Sequence, residues 1–539
     1  MDFVLALHSH LPYVLHHGRW PHGSDWLCEA TIDTYLPLLE RLEELAAEDT
    51  PTPLTIGFTP VLANQLANPD FAREMETFFA QRLAACEEAA ALPDSGPLLE
   101  FWRSRFTRMQ ALFHTIDGDL VSAFRRLQER GRLEIIGSAA THGYLPLLGR
   151  DESIRLQLAV GQAEHRRLFG TAAAGCWLPE CAYRPRGKWR DGRVRRGIEE
   201  HLADARFKYF FTDAHLARAG SPLGAYSDIR QSAEPGSAVR SPYRAYRVSR
   251  RDARASVAAL VRDPRSSMQI WSRHQGYPGD EWYLEFHKIR WPGGMKLWRV
   301  SGANVDLGEK RPYEPARARE RAAEHASHFV HLLESIAREQ KVGPDGVIVA
   351  PFDTELFGHW WFEGPDFLAA TYRALRGRGV RAVTASQHLE AHPPPPRAAV
   401  QLAEGSWGAN GDHSMWLNER TEWTWRRLWP LENAFWGVAP AALRSEAARP
   451  VLAQAARELL LAQASDWQFI ISTGAVVDYA ERRFTLHCDD AERLIGALSA
   501  GMAGDSSALE AARRGADELA RRDALFPDVL AQVAEALGD

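Results

Sequence analysis

Through roughly the first 390 residues, apolar runs too short for anything but β-strands alternate with longer stretches of helical periodicity. A parallel sheet requires this, because each strand must be followed by a crossover before the next can pair with it. The candidate strands are residues 3–7, 54–58, 133–136, 176–178, 209–212, 268–271, 347–350 and 381–384. Seven or eight of them fit an α/β barrel related to the (β/α)8 design, with an open doubly wound sheet as the alternative. Residues 63–130 are helical for far longer than one crossover needs, so an inserted helical segment is expected. Residues 221–265 are rich in Gly, Pro, Ser and Arg and read as a long irregular loop, of the kind used as lids or binding loops.

The pattern stops at His392, which is followed by Pro393, Pro394, Pro395 and Pro396. A four-proline run cannot continue either element, so it is read as a linker at 393–396 between a domain at 1–392 and a mostly α-helical one at 397–539. In the second, 441–464 and 507–536 carry helical periodicity, and Pro450 divides the former. A chain of 539 residues is long enough for two such units.

Charge and cysteine narrow the function. Lys and Arg number 64 against 70 Asp and Glu, a net charge of -6, which argues against a nucleic-acid partner. Five cysteines without a CxxC pair favour neither a disulfide framework nor a thiolate zinc site, and point to a reducing, cytoplasmic setting. The first residues lack the basic region and cleavage site of a signal peptide, and no apolar run reaches membrane-spanning length, so no membrane association is expected. Tryptophan, 18 residues against 13 tyrosines, is over-represented.

In a barrel of this kind the reactive groups gather where the strands stop. There stand His8 and His10, then His142, then Trp177 and Glu180, then Asp353 and Glu355. Two carboxylates facing each other can divide acetal chemistry between attack and protonation, and Glu180 with Asp353 is the best pair, although Glu355 competes with Asp353. Taken singly, Glu180 reads more readily as a helix cap; Trp177, an apolar wall for a sugar face, and Tyr183 beside it weigh toward chemistry. His8 and His10 could instead ligate a metal, with Asp353 or His142 as third ligand, and that arrangement would suit a metal-dependent polysaccharide deacetylase. A non-catalytic glucan-binding protein built on the tryptophans is a third possibility.

The segments HSHLPYV, GRLEIIGSAATHGYLPLL, GCWLPECAY and APFDTELFGHWWFEGPDF, in this order, resemble glycoside hydrolase family 57. Within it, WPHGSDW, QIWSRHQGYPGDEWYLEFHKI, SWGANGDHSMWLNERTEW and QASDWQF are similar to its 1,4-α-glucan branching enzymes. The resemblance implies an incomplete (β/α)7 TIM-like barrel followed by the helical domain. It implies a retaining, metal-independent and cofactor-free mechanism with Glu180 as nucleophile and Asp353 as general acid/base, their carboxyls about 5 to 5.5 Å apart. It implies α-glucan substrates such as amylose and glycogen, α-amylase and 4-α-glucanotransferase being alternatives in the same family. A monomer is the expected form. His8, His10, His142, Trp26, Trp177, Trp271, Trp360, Trp407, Trp416, Asp466 and Trp467 become candidate sugar-binding residues. Trp423, Trp425, Trp429 and Trp436 are expected to pack helices instead, and about half of all the tryptophans should be core. The resemblance is loosest at 220–261, where the family places a tyrosine-bearing loop over the site; Tyr226, Tyr243 and Tyr246 are the candidates.

Overall fold

The computed structural model describes residues 1–539 except 90–95, 224–238, 250–255, 273–274, 292, 396–397 and 539. Seven parallel strands form its centre: β1 (Asp2–Ser9), β2 (Leu54–Phe58), β3 (Leu133–Ser138), β4 (Gly175–Trp177), β5 (Tyr209–Thr212), β6 (Val257–Val261) and β7 (Val347–Asp353). They pair in chain order, and β7 returns to β1 with Asp2 opposite Val347 and His8 opposite Asp353. The ring closes between β6 and β7 by the single bridge Arg262–Val349 and a 2.8 Å bond from the Asp263 N–H to the Val349 carbonyl. Every residue of β1, β2 and β5 is buried, as expected of strands covered on both faces. The chain therefore forms a seven-stranded barrel with one thin seam.

Two strand expectations fail. Residues 268–271 end a helix, Pro264–Trp271, because Asp263 caps it by accepting the Ser266 N–H at 2.7 Å and Pro264 presets its first turn. The sixth strand is instead Val257–Val261, inside the stretch expected to be irregular, and Tyr246–Val248 pairs antiparallel with it. Residues 381–384 shrink to Arg381–Ala382, paired outside the ring to the start of β1.

Between β2 and β3 come the helices Pro60–Leu66, Pro69–Ala89, Gly96–Thr115 and Leu120–Glu129, the expected insertion. Beyond the prolines, the chain returns to the barrel first: Ala399–Val400 pairs with Tyr246–Val248, and the Tyr183 N–H donates to the Gly405 carbonyl at 2.8 Å. α-Helices begin only at Glu422, so 398–421, apart from Ala399–Val400 and a 3-10 turn at Ala409–Gly411, is an irregular segment against the barrel rather than part of the helical domain. Glu422–Arg444 and Arg449–Ala462 are separate, with Pro450 in the first turn of the second. Asp466–Thr473, Val477–Met502, Ser506–Arg522 and Val529–Leu537 complete the set.

These helices dock chiefly on Asp151–Phe169, which follows β3. The Trp436 indole donates to Ser153 at 2.9 Å, the Gln157 amide donates to Gln463 at 3.0 Å, and Glu432 accepts the Gly149 N–H at 2.6 Å. Among the described residues no helix is long and apolar enough to cross a membrane, and all five cysteines are buried and unpaired.

The helix Asp151–Phe169 reaches β3 through Gly161, where a Cβ would lie 2.2 Å from the Ser138 carbonyl oxygen. Helix propensity alone favours Ala there by about 1 kcal/mol. The clash with main chain outweighs that gain, so Gly161→Ala should destabilise the fold by about 2 kcal/mol or more in chemical denaturation. An unchanged or raised denaturation midpoint would contradict this packing.

Candidate active site

A cavity of about 630 Å³ opens at the C-terminal rim of the barrel. Its floor is made by residues at the strand ends: His8, His10, His142, Glu180, Arg262, Asp353 and Glu355. One wall comes from the segments around Trp26, Phe286, Lys296 and Trp360, the other from Trp407 to Trp416 and Asp466 to Tyr479. The second wall lies entirely beyond the prolines.

Glu180 enters the floor by an unusual backbone. After β4, Leu178 and Pro179 lead to Glu180 at φ 60°, ψ 23° and Cys181 at φ 47°, both left-handed although neither is glycine. Such conformations cost of order 1 to 3 kcal/mol each and persist only where surrounding contacts enforce them. Here the enforcing segment is 405–411. The Trp407 N–H donates to the Glu180 carbonyl at 3.1 Å, and the Trp407 indole N–H donates to Glu180 Oε2 at 2.9 Å. Ser465 Oγ reaches Glu180 Oε1 at 3.4 Å. Burial pushes the carboxyl up to about 7 against the Trp407 hydrogen bond, which holds it down, and with a further push from Asp466.

Asp353 ends β7 directly opposite His8. Burial raises its proton affinity well above the ordinary carboxyl range, and the charges of Glu355 and Glu180 raise it further. Glu355 is differently placed. Its Oε1 accepts both the His10 N–H at 3.0 Å and the Tyr35 hydroxyl, and burial brings the group up to about 6. Asp353 and Glu180 are thus pushed apart in proton affinity, one tending to hold its proton and the other titrating near neutrality.

The three histidines stack. His10 lies 4.0 Å from His142 between ring centroids, and His8 lies flat on Trp177 at 4.7 Å. His8 Nε2 is 3.0 Å from His142 Nε2, while His142 Nδ1 is 2.9 Å from Ser465 Oγ. His10 contacts Thr59 through Nδ1 at 3.0 Å and Asp466 through Nε2 at 3.0 Å. Burial drives His8 and His142 well below the usual imidazole range, whereas Asp466 overcomes the burial of His10 and raises it. His10, His142 and Asp466 do bring ligand atoms within 4.8 Å of one another. Both nitrogens of His10 and of His142 already face protein partners, so an ion there would have to displace those hydrogen bonds.

Of the other sequence candidates, Trp26, Trp271, Trp360, Trp407, Trp416 and Asp466 line the cavity. Trp177 and Trp467 do not. Trp177 is the last residue of β4, and strand alternation turns it into the barrel beneath His8; Trp467 is fully buried against Arg483, with its indole N–H on the Leu461 carbonyl at 2.8 Å. Tyr243 and Tyr246 are also away from the cavity: the Tyr243 carbonyl meets the Val347 N–H at the N-terminal end of β7, and the Tyr246 hydroxyl donates to Ser241. Tyr226 lies outside the described residues. Trp425, Trp429 and Trp436 pack through indole hydrogen bonds to Trp416, Leu147 and Ser153, while Trp423 stays partly exposed beside Phe484.

Several site residues gave no sequence signal. Arg262, at the barrel seam, is fully buried, donates to Asp213 at 3.1 Å and lies over the Trp407 ring. A π-helical turn, Thr31–Tyr35, interrupts Ser24–Ala30 and Leu36–Ala47, and it sets Asp33 and Tyr35 behind the lining, Asp33 on Lys296 at 3.0 Å and Tyr35 on Glu355. Gly358 packs on that turn so closely that a Cβ would meet the Asp33 carbonyl at 2.1 Å.

Residues 4–401 match the family model of Glycosyl hydrolase family 57, and residues 435–533 match a model described as 1,4-alpha-glucan branching enzyme, C-terminal. A 1,4-alpha-glucan branching enzyme of Thermococcus kodakarensis is 42% identical over 506 residues, 92% of this chain and 73% of that one. A solved branching-enzyme structure from the same species superposes with TM-score 0.90 at 39% identity, covering 99% of this chain and 96% of the other. The α-amylase AmyC of Thermotoga maritima superposes with TM-score 0.79 at 30% identity, covering 98% and 99%.

Trp407 holds the Glu180 proton affinity down, so Trp407→Phe should raise it. If Glu180 reacts as the carboxylate, kcat/KM falls as pH drops through about 7, and that acidic limb should move upward by about one pH unit in the variant. A limb that stays in place would show that the indole does not tune this carboxyl.

Proposed function

The chain belongs to glycosyl hydrolase family 57, and from that premise we propose that it is a 1,4-α-glucan branching enzyme, cutting α-1,4-glucan and re-forming the bond as an α-1,6 branch. Glu180 attacks the anomeric carbon and becomes its covalent partner while Asp353 gives its proton to the departing glycosidic oxygen. Asp353, now a carboxylate, takes the proton of the acceptor 6-hydroxyl as that oxygen displaces Glu180. The single observation that carries the reading is the paired carboxyls on the floor of a cleft whose second wall comes from beyond the prolines. Transfer rather than hydrolysis requires that water be kept from the glucosyl intermediate, and a wall of Trp407, Met415, Trp416, Phe469, Ile470 and Val476 is suited to it. The branching-enzyme match of 435–533 lies in the helices that support this wall.

Two uncharged imidazoles near Glu180 fit a sugar ligand. His8 and His142, held uncharged, can donate and accept hydrogen bonds with sugar hydroxyls, and the indoles can cover ring faces. The reading extends to glycogen-type polysaccharide in the cytoplasm, with the monomer as acting unit, since nucleophile, acid/base and both walls belong to one chain.

Incubation with amylose followed by enzymatic debranching tests the assignment. New chains should exceed new reducing ends; reducing ends without branches would indicate an amylase, and redistributed linear chains a 4-α-glucanotransferase. Glu180→Gln and Asp353→Asn, with wild-type melting behaviour, should each lower turnover by about 10³-fold or more. Substantial branching by either folded variant would overturn the roles of nucleophile and acid/base.

A further inference from the structure

The two walls differ in chemistry, and the difference follows the two carboxyls. The wall beyond the prolines is tied to Glu180, through Trp407 at 2.9 Å and Ser465 at 3.4 Å, and is largely apolar. The other wall continues from the end of β7 that carries Asp353: His359 and Trp360 follow it in the chain and line the cavity, and the Trp360 N–H donates to the Glu355 carbonyl at 3.1 Å. This wall, on the barrel side of the prolines, carries ions. Lys296 lines the cavity with its side chain 10% exposed, 3.0 Å from Asp33 and 3.3 Å from Glu29. His359 also lines it, with its N–H held by Thr34 at 2.9 Å and Nδ1 3.8 Å from Asp33 Oδ2, beyond hydrogen-bond reach. Asp33 is held by Lys296 in front and faces the buried guanidinium of Arg105 behind, whose N–H donates to the neighbouring Ile32 carbonyl at 3.3 Å. Glu29, with 38% of its side chain exposed, keeps acceptor capacity toward the cavity.

An ammonium and carboxylates maintained in a sugar-sized cleft offer charge-assisted hydrogen bonds to hydroxyls, with a geometry fixed before any ligand arrives. Their side of the cleft is chemically determined. The group that protonates the leaving oxygen and later deprotonates the acceptor must face the fragment beyond the scissile bond, so that fragment lies along the wall of Asp353 rather than that of Glu180. Resting on the branching activity proposed for this site, we propose that Glu29, Lys296 and His359 form the hydroxyl-binding subsite for the acceptor glucan. The subsite presents its 6-hydroxyl to the intermediate: the bond from the anomeric carbon to Glu180 breaks, the bond to O6 forms, and the hydroxyl proton passes to Asp353.

Once the intermediate exists, its division between acceptor and water is independent of how fast it was made. The ratio of new branches to new reducing ends on amylose is therefore a readout that lost stability or weaker donor binding would leave alone. Glu29→Gln and Lys296→Gln, with Lys296→Arg as the conservative control, should lower this ratio by about tenfold, the worth of one charge-assisted hydrogen bond. Added linear dextrin should restore it, and the Arg variant should fall between. If Lys296→Gln does not fold, the partly exposed Glu29→Gln decides alone. Variants whose branching and hydrolysis fall in proportion, whose ratio is unaltered, or whose depressed ratio ignores added dextrin overturn the subsite. Wild-type protein that makes no branches overturns the branching assignment itself, and this proposal with it.

Discussion

The hold of Trp407 on Glu180 is the interaction on which the site depends, because a buried carboxyl on a left-handed backbone has two reasons to be elsewhere. Burial favours its neutral form, and steric repulsion of the side chain at positive φ favours another turn. One residue answers both, with its main-chain N–H on the Glu180 carbonyl and its indole N–H on the carboxylate. That residue is 227 positions away in the chain. The barrel supplies the reactive group, and the segment beyond the prolines fixes its orientation, which makes the two parts of the chain inseparable as a catalyst.

Electrostatics around the floor follows the same division. Three carboxyls, Glu180, Asp353 and Glu355, share one buried region, and they cannot all be ionised cheaply in a low-dielectric setting. The protein separates them: Glu355 accepts Tyr35 and the His10 main chain on one oxygen, Glu180 accepts the Trp407 indole and the Ser465 hydroxyl, and burial with the neighbouring charges leaves Asp353 tending to keep its proton. Arg262 moderates the group from the seam, where it also neutralises Asp213.

Much of this was legible in the residues. A carboxylate following a short apolar run through Leu178-Pro179, and another at the end of the run 347–350, could be placed at strand ends because parallel strands leave a plain pattern. The sixth strand could not, since Val257–Val261 is short and the surrounding Gly, Pro, Ser and Arg submerge it, while 268–271 looked equally apolar but started from a cap at Asp263. Trp177 stands next to the site in sequence but lies beneath it, buried under His8 and against Trp407, because it is still part of the strand while Glu180 has passed into the left-handed turn. The π turn carrying Asp33 and Tyr35, and the contribution of Lys296, depend on contacts hundreds of residues apart and leave no periodicity to read.

The pairing of β1 with β7 and the hold on Glu180 both join early chain to late chain, and polypeptides are made in one direction. β1 must wait for β7, and Glu180 must wait for Trp407. At ordinary translation rates the second interval is about 10 to 45 seconds. During it the nascent chain already contains Glu180 but neither the segment that holds its turn nor the cavity wall beyond the prolines. A ribosome-bound or prematurely terminated product ending before residue 407 thus carries Glu180 without either of the Trp407 hydrogen bonds that orient it.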